Sequence, residues 1–181
     1  MAIVALVCPA LAACAGGQPR NAAPATSAVT AAFRGSPAPL AGLHQQGNQL
    51  LAGGTTAFHK RLTSLRGHPV VINEWASWCE PCQSEFPVFQ RVAVRYGRQV
   101  AFLGVDSRDT GGSATAFLHR FPVTYPSYVD PHQRIGAALQ AVGGIPQTVY
   151  INAHGQQQYD HAGPYESVAA LERDIHFYLL K

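Results

Sequence analysis

A three-layer α/β domain is the fold class that this sequence predicts, and three observations carry it. Between residues 68 and 180, short β-branched runs alternate with segments whose apolar residues recur at helical spacing. The alternation closes on two consecutive strands and a last helix, and strands separated by helices argue a sheet covered on both faces. The chain has 181 residues, of which 47% are hydrophobic and 13% charged, enough for the core of one domain plus appendages.

Taken in order, the apolar pieces of residues 43–58 are broken by Gly47, Gly53 and Gly54, which predicts a β-hairpin before the domain proper. Residues 63–67 read as a turn. His68 to Trp75, with Val70, Val71 and Ile72, has the pattern of a buried strand. Glu80 to Tyr96 predicts a helix whose Phe86, Phe89, Ala93 and Tyr96 share one face. Val100 to Val105 is a second buried strand, and Ser113 to Arg120 a helix carrying Phe117 and Leu118. Asp130 and Pro131 predict an N-cap and first helical residue for a short helix ending at Ala138. Strands at 147–151 and 157–161 flank a turn, and the helix of 166–180 turns Val168, Leu171, Ile175 and Tyr178 to one side.

A net charge of +3 without a basic run gives no nucleic-acid footprint. The first 17 residues are apolar, too few to span a membrane, and Pro9 interrupts them. They are similar to the core of a secretory signal, and Leu11-Ala12-Ala13-Cys14 matches the bacterial lipobox. On this reading residues 1–13 are a signal peptide and Cys14 is the lipidated first residue. No Lys or Arg precedes the apolar run, since the first is Arg20. A start codon placed too far downstream, an ordinary cleaved signal or a chance match in a cytosolic protein all account for that. Residues 14–42, rich in Ala, Pro, Ser, Thr, Gly and Gln, read as a flexible tether, and 43–181 as the folded domain.

The chemistry is concentrated in Trp78-Cys79-Glu80-Pro81-Cys82, where a strand gives way to a helix. Two thiols separated by two residues can close a small disulfide ring. The first faces unpaired N–H groups and the positive end of the helix dipole, which favour thiolate, the attacking species in disulfide exchange. Cys79 is therefore the expected nucleophile and the more exposed thiol, with Cys82 resolving the mixed disulfide. Glu80 and Pro81 tune Cys79, the carboxylate by like-charge repulsion. Half of a zinc site is the structural alternative, but no second ligand pair follows. Trp78 reads either as substrate-contact surface or as packed core, and Trp75 as core. The eight histidines are scattered and unpaired.

These features resemble the thioredoxin fold and, within it, the TlpA/ResA-type membrane-tethered thiol–disulfide oxidoreductases. The likeness is carried by residues 64–73, by Trp75-Ala76-Ser77-Trp78-Cys79-Glu80-Pro81-Cys82, by Glu85-Phe86-Pro87 and by Gly144-Ile145-Pro146-Gln147-Thr148. It covers residues 43–180 and implies a thioredoxin-like α/β/α sandwich with a mixed central sheet, here with the hairpin extension. Glu74 departs from the pattern, because an aromatic or aliphatic residue is usual there.

The resemblance also implies roles. Glu85 tunes both cysteines and moves protons, against the alternative of a solvated first-turn glutamate. Asn73 stands where cytosolic thioredoxins carry a buried aspartate, and an amide cannot accept the resolving thiol's proton. Ile145-Pro146 is implied to be a cis peptide facing the cysteines, with Ile145 pairing an extended substrate. No cofactor or metal is implied. The expected protein is a lipid-anchored, extracytoplasmic and monomeric oxidoreductase, or a secreted or periplasmic one. Its implied task is reducing apocytochrome c thiols or other exported proteins, with electrons from a membrane thiol transporter of the CcdA/DsbD kind. The alternatives are a disulfide-forming oxidase and a Sco-type copper metallochaperone. Sco proteins space their cysteines by three residues and add a distant histidine. A peroxide-reducing site of the type Pro-x-x-x-Thr-x-x-Cys is absent.

Overall fold

The computed structural model describes residues 25–180 apart from position 142, so the expected signal peptide and Cys14 lie outside the described residues. A six-stranded sheet organises the fold, in the order β1-β4-β3-β2-β5-β6. Its strands are β1 (Leu50–Leu51), β2 (Val70–Trp75), β3 (Ala101–Ser107), β4 (Ser127–Asp130), β5 (Gln147–Ile151) and β6 (Gln157–Ala162). The pairings β1·β4, β4·β3 and β3·β2 are parallel, whereas β2·β5 and β5·β6 are antiparallel, giving a mixed sheet.

Alternation along β2 divides the core. Val71 and Trp75 face α4 (Glu80–Tyr96), α5 (Gly111–Arg120) and α7 (Val168–Leu179), where they meet Phe86, Phe89, Phe117, Leu171 and Ile175. Val70 and Ile72 face α3 (Gly54–Ser64) and α6 (Arg134–Ala138), with Phe58, Leu65 and Ile135. Trp75 is fully buried in the same apolar cluster as Cys79 and Cys82. Its ring stacks on Phe117 at 4.7 Å and meets Phe86 edge-on at 5.2 Å, while its Nε1 donates to Ser127 Oγ at 3.1 Å. The indole thus contributes apolar burial without an orphaned N–H.

Three expectations need correction. The β-hairpin of residues 43–58 does not form: Leu50–Leu51 is a two-residue strand pairing only with β4, and α3 begins at Gly54. Gly53 and Gly54 open a helix instead of closing a hairpin. Gly53 has φ 109°, and a Cβ there would lie 2.5 Å from that of Ala57. The apolar residues that follow, Ala57, Phe58, Leu62 and Leu65, recur at helical spacing and pack onto the sheet. Next, the expected tether is helical where it is described. It contains α1 (Thr26–Phe33) and most of α2 (Ala38–His44), because its few large side chains find a docking surface: Leu40 is buried in the same apolar cluster as Leu43, and Phe33 stacks on His44 at 3.6 Å. Lastly, Asp130 ends β4 and does not open a helix directly. Its carboxylate still caps α6, accepting from the N–H groups of Arg134, Ile135 and Gly136 at 2.8, 2.8 and 3.0 Å.

The departure at Glu74 has its own packing solution. The side chain is buried on the α6 face and accepts from Ser107 Oγ at 2.6 Å. A Cβ at position 136 would come within 2.7 Å of Glu74 Oε1, so Gly136 makes the room. Burial, ahead of the nearby charges of Asp130 and Asp160, pushes this carboxyl above its ordinary pKa.

Candidate active site

The parallel strands β2 and β3 deliver their C-terminal ends to one edge of the sheet, and α4 starts there. Cys79 is the N-cap of α4 in an extended conformation, with Pro81 in the first turn. Its Sγ accepts from the backbone N–H of Cys82 at 3.2 Å and is joined to Cys82 by a disulfide, the Cα atoms 5.3 Å apart. The position is electrostatically suited to a thiolate, since unpaired N–H groups and the helix dipole converge there. Cys79 is only 4% exposed, against 0% for Cys82, so the first thiol is the more accessible by a narrow margin. Among the site residues expected from sequence, Trp78, Glu80 and Pro81 are exposed around the pair; Trp78 is 58% exposed and Trp75 is core.

Glu85 is fully buried one turn beyond Cys82. Its Oε1 accepts from Asn73 Nδ2 at 2.6 Å and its Oε2 from the backbone N–H of Tyr165 at 3.1 Å. Burial outweighs both bonds and pushes the carboxyl up to about 8. Asn73 Oδ1 has no partner, and the buried hydroxyl of Tyr125 has none either. Burial, and then the charge of Glu85, raises that phenol well above its usual range. Tyr165 in turn donates to Asp174 Oδ2 at 2.6 Å and meets Tyr150 hydroxyl to hydroxyl at 2.6 Å. The solvated first-turn glutamate is thereby excluded for Glu85.

Ile145-Pro146 is a cis peptide immediately before β5, with Pro146 buried and Ile145 half-buried. The β2·β5 register sets Asn73 opposite Thr148, the second residue after that proline. Sequence reasoning missed the loop on the other side. Asp109, between β3 and α5, accepts from Ser77 N at 2.5 Å and from Ser77 Oγ at 2.8 Å. Nothing in the spacing of Asp109 and its neighbours in the sequence points to Ser77. The Tyr165 contact was equally invisible, because it uses a backbone N–H. Among the described residues no three His, Cys, Asp or Glu side chains are placed to hold a metal ion, and no helix is long and apolar enough to cross a membrane.

Comparison with known proteins agrees with this geometry. Residues 45–159 match the family model described as the AhpC/TSA family. The thiol-disulfide oxidoreductase ResA of Geobacillus thermodenitrificans is 33% identical over 97 residues, covering 53% of this chain and 55% of that protein. The thiol:disulfide interchange protein DsbE of Allochromatium vinosum is 33% identical over 104 residues, 57% of this chain and 56% of that one. This chain therefore spans little more than half the length of the curated relatives it matches. A crystal structure of a thioredoxin-family thiol:disulfide interchange protein from Chlorobium tepidum superposes with a TM-score of 0.58 at 26% identity. That superposition covers 64% of this chain and 83% of the other. The expected resemblance to ResA-type proteins and the thioredoxin-like α/β fold both hold. The match spans the whole redox loop, the helix behind it and the cis-proline strand, and on it the chain belongs to the AhpC/TSA family.

Proposed function

We propose that this protein is a thiol–disulfide oxidoreductase working through Cys79 and Cys82. The observation that carries the reading is the disulfide across the first turn of α4, with a buried carboxyl one turn behind it. In the reducing direction the Cys79 thiolate attacks a substrate disulfide, forming a mixed disulfide and expelling one substrate thiolate. Cys82 then loses its proton and attacks Cys79 Sγ. The Cys79–Cys82 bond forms, the second substrate thiolate leaves, and two electrons have passed to the substrate. Glu85 is the base for Cys82, a task the Asn73 amide cannot perform. Trp78, Glu80, Pro81 and Ile145 form the surface on which the substrate polypeptide lies, with the buried Pro146 next to Ile145 in the chain.

The substrates that fit are disulfides of exported proteins, apocytochrome c among them, as the resemblance to the TlpA/ResA-type family implies. The electron source is a membrane thiol transporter of the CcdA/DsbD kind. A lipid on Cys14 holds the protein at the extracytoplasmic face of the cell membrane. Feeding cells labelled palmitate checks the anchor: wild-type protein takes up label and Cys14→Ala does not. Equal labelling of the two removes it.

Direction follows from the reduction potential, since potentials on comparable dithiol sites run from about −270 to −120 mV, a span of roughly 7 kcal/mol for two electrons. Equilibration with glutathione buffers is expected to place this couple at the reducing end. A value above about −150 mV would make the protein a disulfide-forming oxidase instead.

A further inference from the structure

We propose that Asp109 is a positioning residue for the redox loop: it grasps Ser77 on the approach to Cys79 and so fixes Trp78 as one wall of the surface that receives a polypeptide disulfide. The inference rests on the exchange activity proposed above and adds a determinant of which disulfides are accepted.

The grasp is made across 32 residues of sequence. Asp109 Oδ2 accepts from Ser77 N at 2.5 Å, and Oδ1 accepts from Ser77 Oγ at 2.8 Å and from Thr110 N at 3.0 Å. A carboxylate has acceptor capacity on two oxygens for these three donors, whereas an amide has only one such oxygen. The loop that makes the grasp is itself anchored. Arg108, at φ 53°, donates its N–H to Asp130 O at 3.2 Å, and its carbonyl accepts from Trp78 Nε1 at 3.4 Å. From the far side, Gln83 Nε2 donates to Ser77 O at 3.4 Å. Ser77 is therefore held from α4 and from the β3–α5 loop together. Behind Asp109 lies Asp106, 3% exposed, its Oδ1 without a partner. Burial first, and then the charge of Asp109, pushes that carboxyl up to about 8.

Trp78 is a large hydrophobe exposed beside the cysteines, and its indole N–H donates to this same loop. Exposed side chains lose orientation when the backbone beneath them is released, because ordering them costs entropy that only a fixed backbone offsets. A small disulfide needs only Cys79 to react. A polypeptide disulfide also needs a wall to lie against. The grasp thus belongs to binding of the larger substrate and not to the sulfur chemistry.

The test compares reduction of insulin with reduction of bis(2-hydroxyethyl) disulfide, both driven by dithiothreitol, for the full chain and for Ser77→Ala, Asp109→Asn, Asp109→Ala and the Ser77→Ala/Asp109→Ala pair. For Asp109→Ala, loss of hydrogen bonds to a charged group is expected to raise KM for insulin about tenfold. Turnover of the small disulfide and kcat for insulin should stay within about twofold. Asp109→Asn and Ser77→Ala should fall between, and the double variant should match Asp109→Ala alone, because both remove one interaction. Equal KM values across the set, a parallel loss on both substrates, or additive effects in the double variant overturn the proposal. Should Asp109→Ala fail to fold, the two milder variants carry the same comparison. A wild-type protein that reduces neither substrate sinks the exchange activity itself, an outcome distinct from a failure of the variants.

Discussion

Replacing Cys79 by Ser is expected to abolish disulfide exchange, by at least about a thousandfold, because a hydroxyl supplies no anion near neutral pH and no sulfur for the mixed disulfide. Replacing Cys82 by Ser should have a different signature. The first attack still occurs, and the product then stalls, covalently joined to its substrate. The asymmetry follows from placement: the Cys79 sulfur takes the N–H of Cys82 at the start of α4, while Cys82 is wholly buried. Non-reducing electrophoresis after mixing with a disulfide-bonded protein reads the difference directly. A trapped adduct with Cys79→Ser and none with Cys82→Ser would reverse the assignment of the two roles.

The second large effect is expected at Glu85. The ordinary glutamate pKa is 4.5, and in the folded protein burial pushes it up to about 8. Between those values the folded state keeps a proton that the unfolded chain has already lost. Stability is then fully present below pH 4.5, falls as the pH rises through the window, and levels off above 8. At 1.36 kcal/mol per unit, the whole displacement amounts to roughly 5 kcal/mol. Glu74 and Asp106 are displaced upward as well and add slopes of the same sign, so the informative quantity is a difference. Denaturant unfolding of the oxidised protein from pH 5 to 9 should show wild type losing stability relative to Glu85→Gln across that range, since glutamine does not titrate. A constant difference would mean that Glu85 is not the buried acid described here.

Kinetics supply the second half of that prediction. If Glu85 takes the proton of Cys82, resolution of the mixed disulfide should slow about a hundredfold in Glu85→Gln, within the range for loss of a positioned base. Attack by Cys79 should change little. The glutamine carries a structural cost also: both carboxylate oxygens accept from N–H donors, and an amide NH2 would have to face one of them. For the protonated acid, the partnerless Asn73 Oδ1 is the nearby acceptor once the amide is turned over. Unchanged cysteine titration and resolution rates would assign the proton transfer to water.

Much of this molecule is written locally. The helix Glu80–Tyr96 is read with its observed limits, because a proline in the first turn and apolar residues at three- and four-residue spacing are both short-range signals. The strands at 70–75, 101–107 and 147–151 follow from short β-branched or continuous apolar runs, read at 68–75, 100–105 and 147–151. Glycine was the weak point. Gly53 and Gly54 look alike whether they close a hairpin or open a helix, and only the sheet that α3 covers distinguishes the two. The expected tether failed for a related reason. Its composition is that of a linker, and two large side chains, Phe33 and Leu40, suffice once a surface exists to receive them.

The same division applies to the site. The two cysteines, the turn between them and the helix that follows lie within a few residues of one another, so the chain alone determines a Cys-x-x-Cys pair at the start of a helix. Burial of Glu85 was not local information. Its partners, Asn73 and Tyr165, lie 12 and 80 positions away, and one of them contributes a backbone N–H that no side-chain pattern encodes. The grasp of Asp109 on Ser77 is decided in the same way, by the parallel register that brings the ends of β2 and β3 to one edge of the sheet. Desolvation and long-range hydrogen bonds depend on what the rest of the fold places around a group, so the tertiary structure alone sets the proton affinity behind the sulfurs.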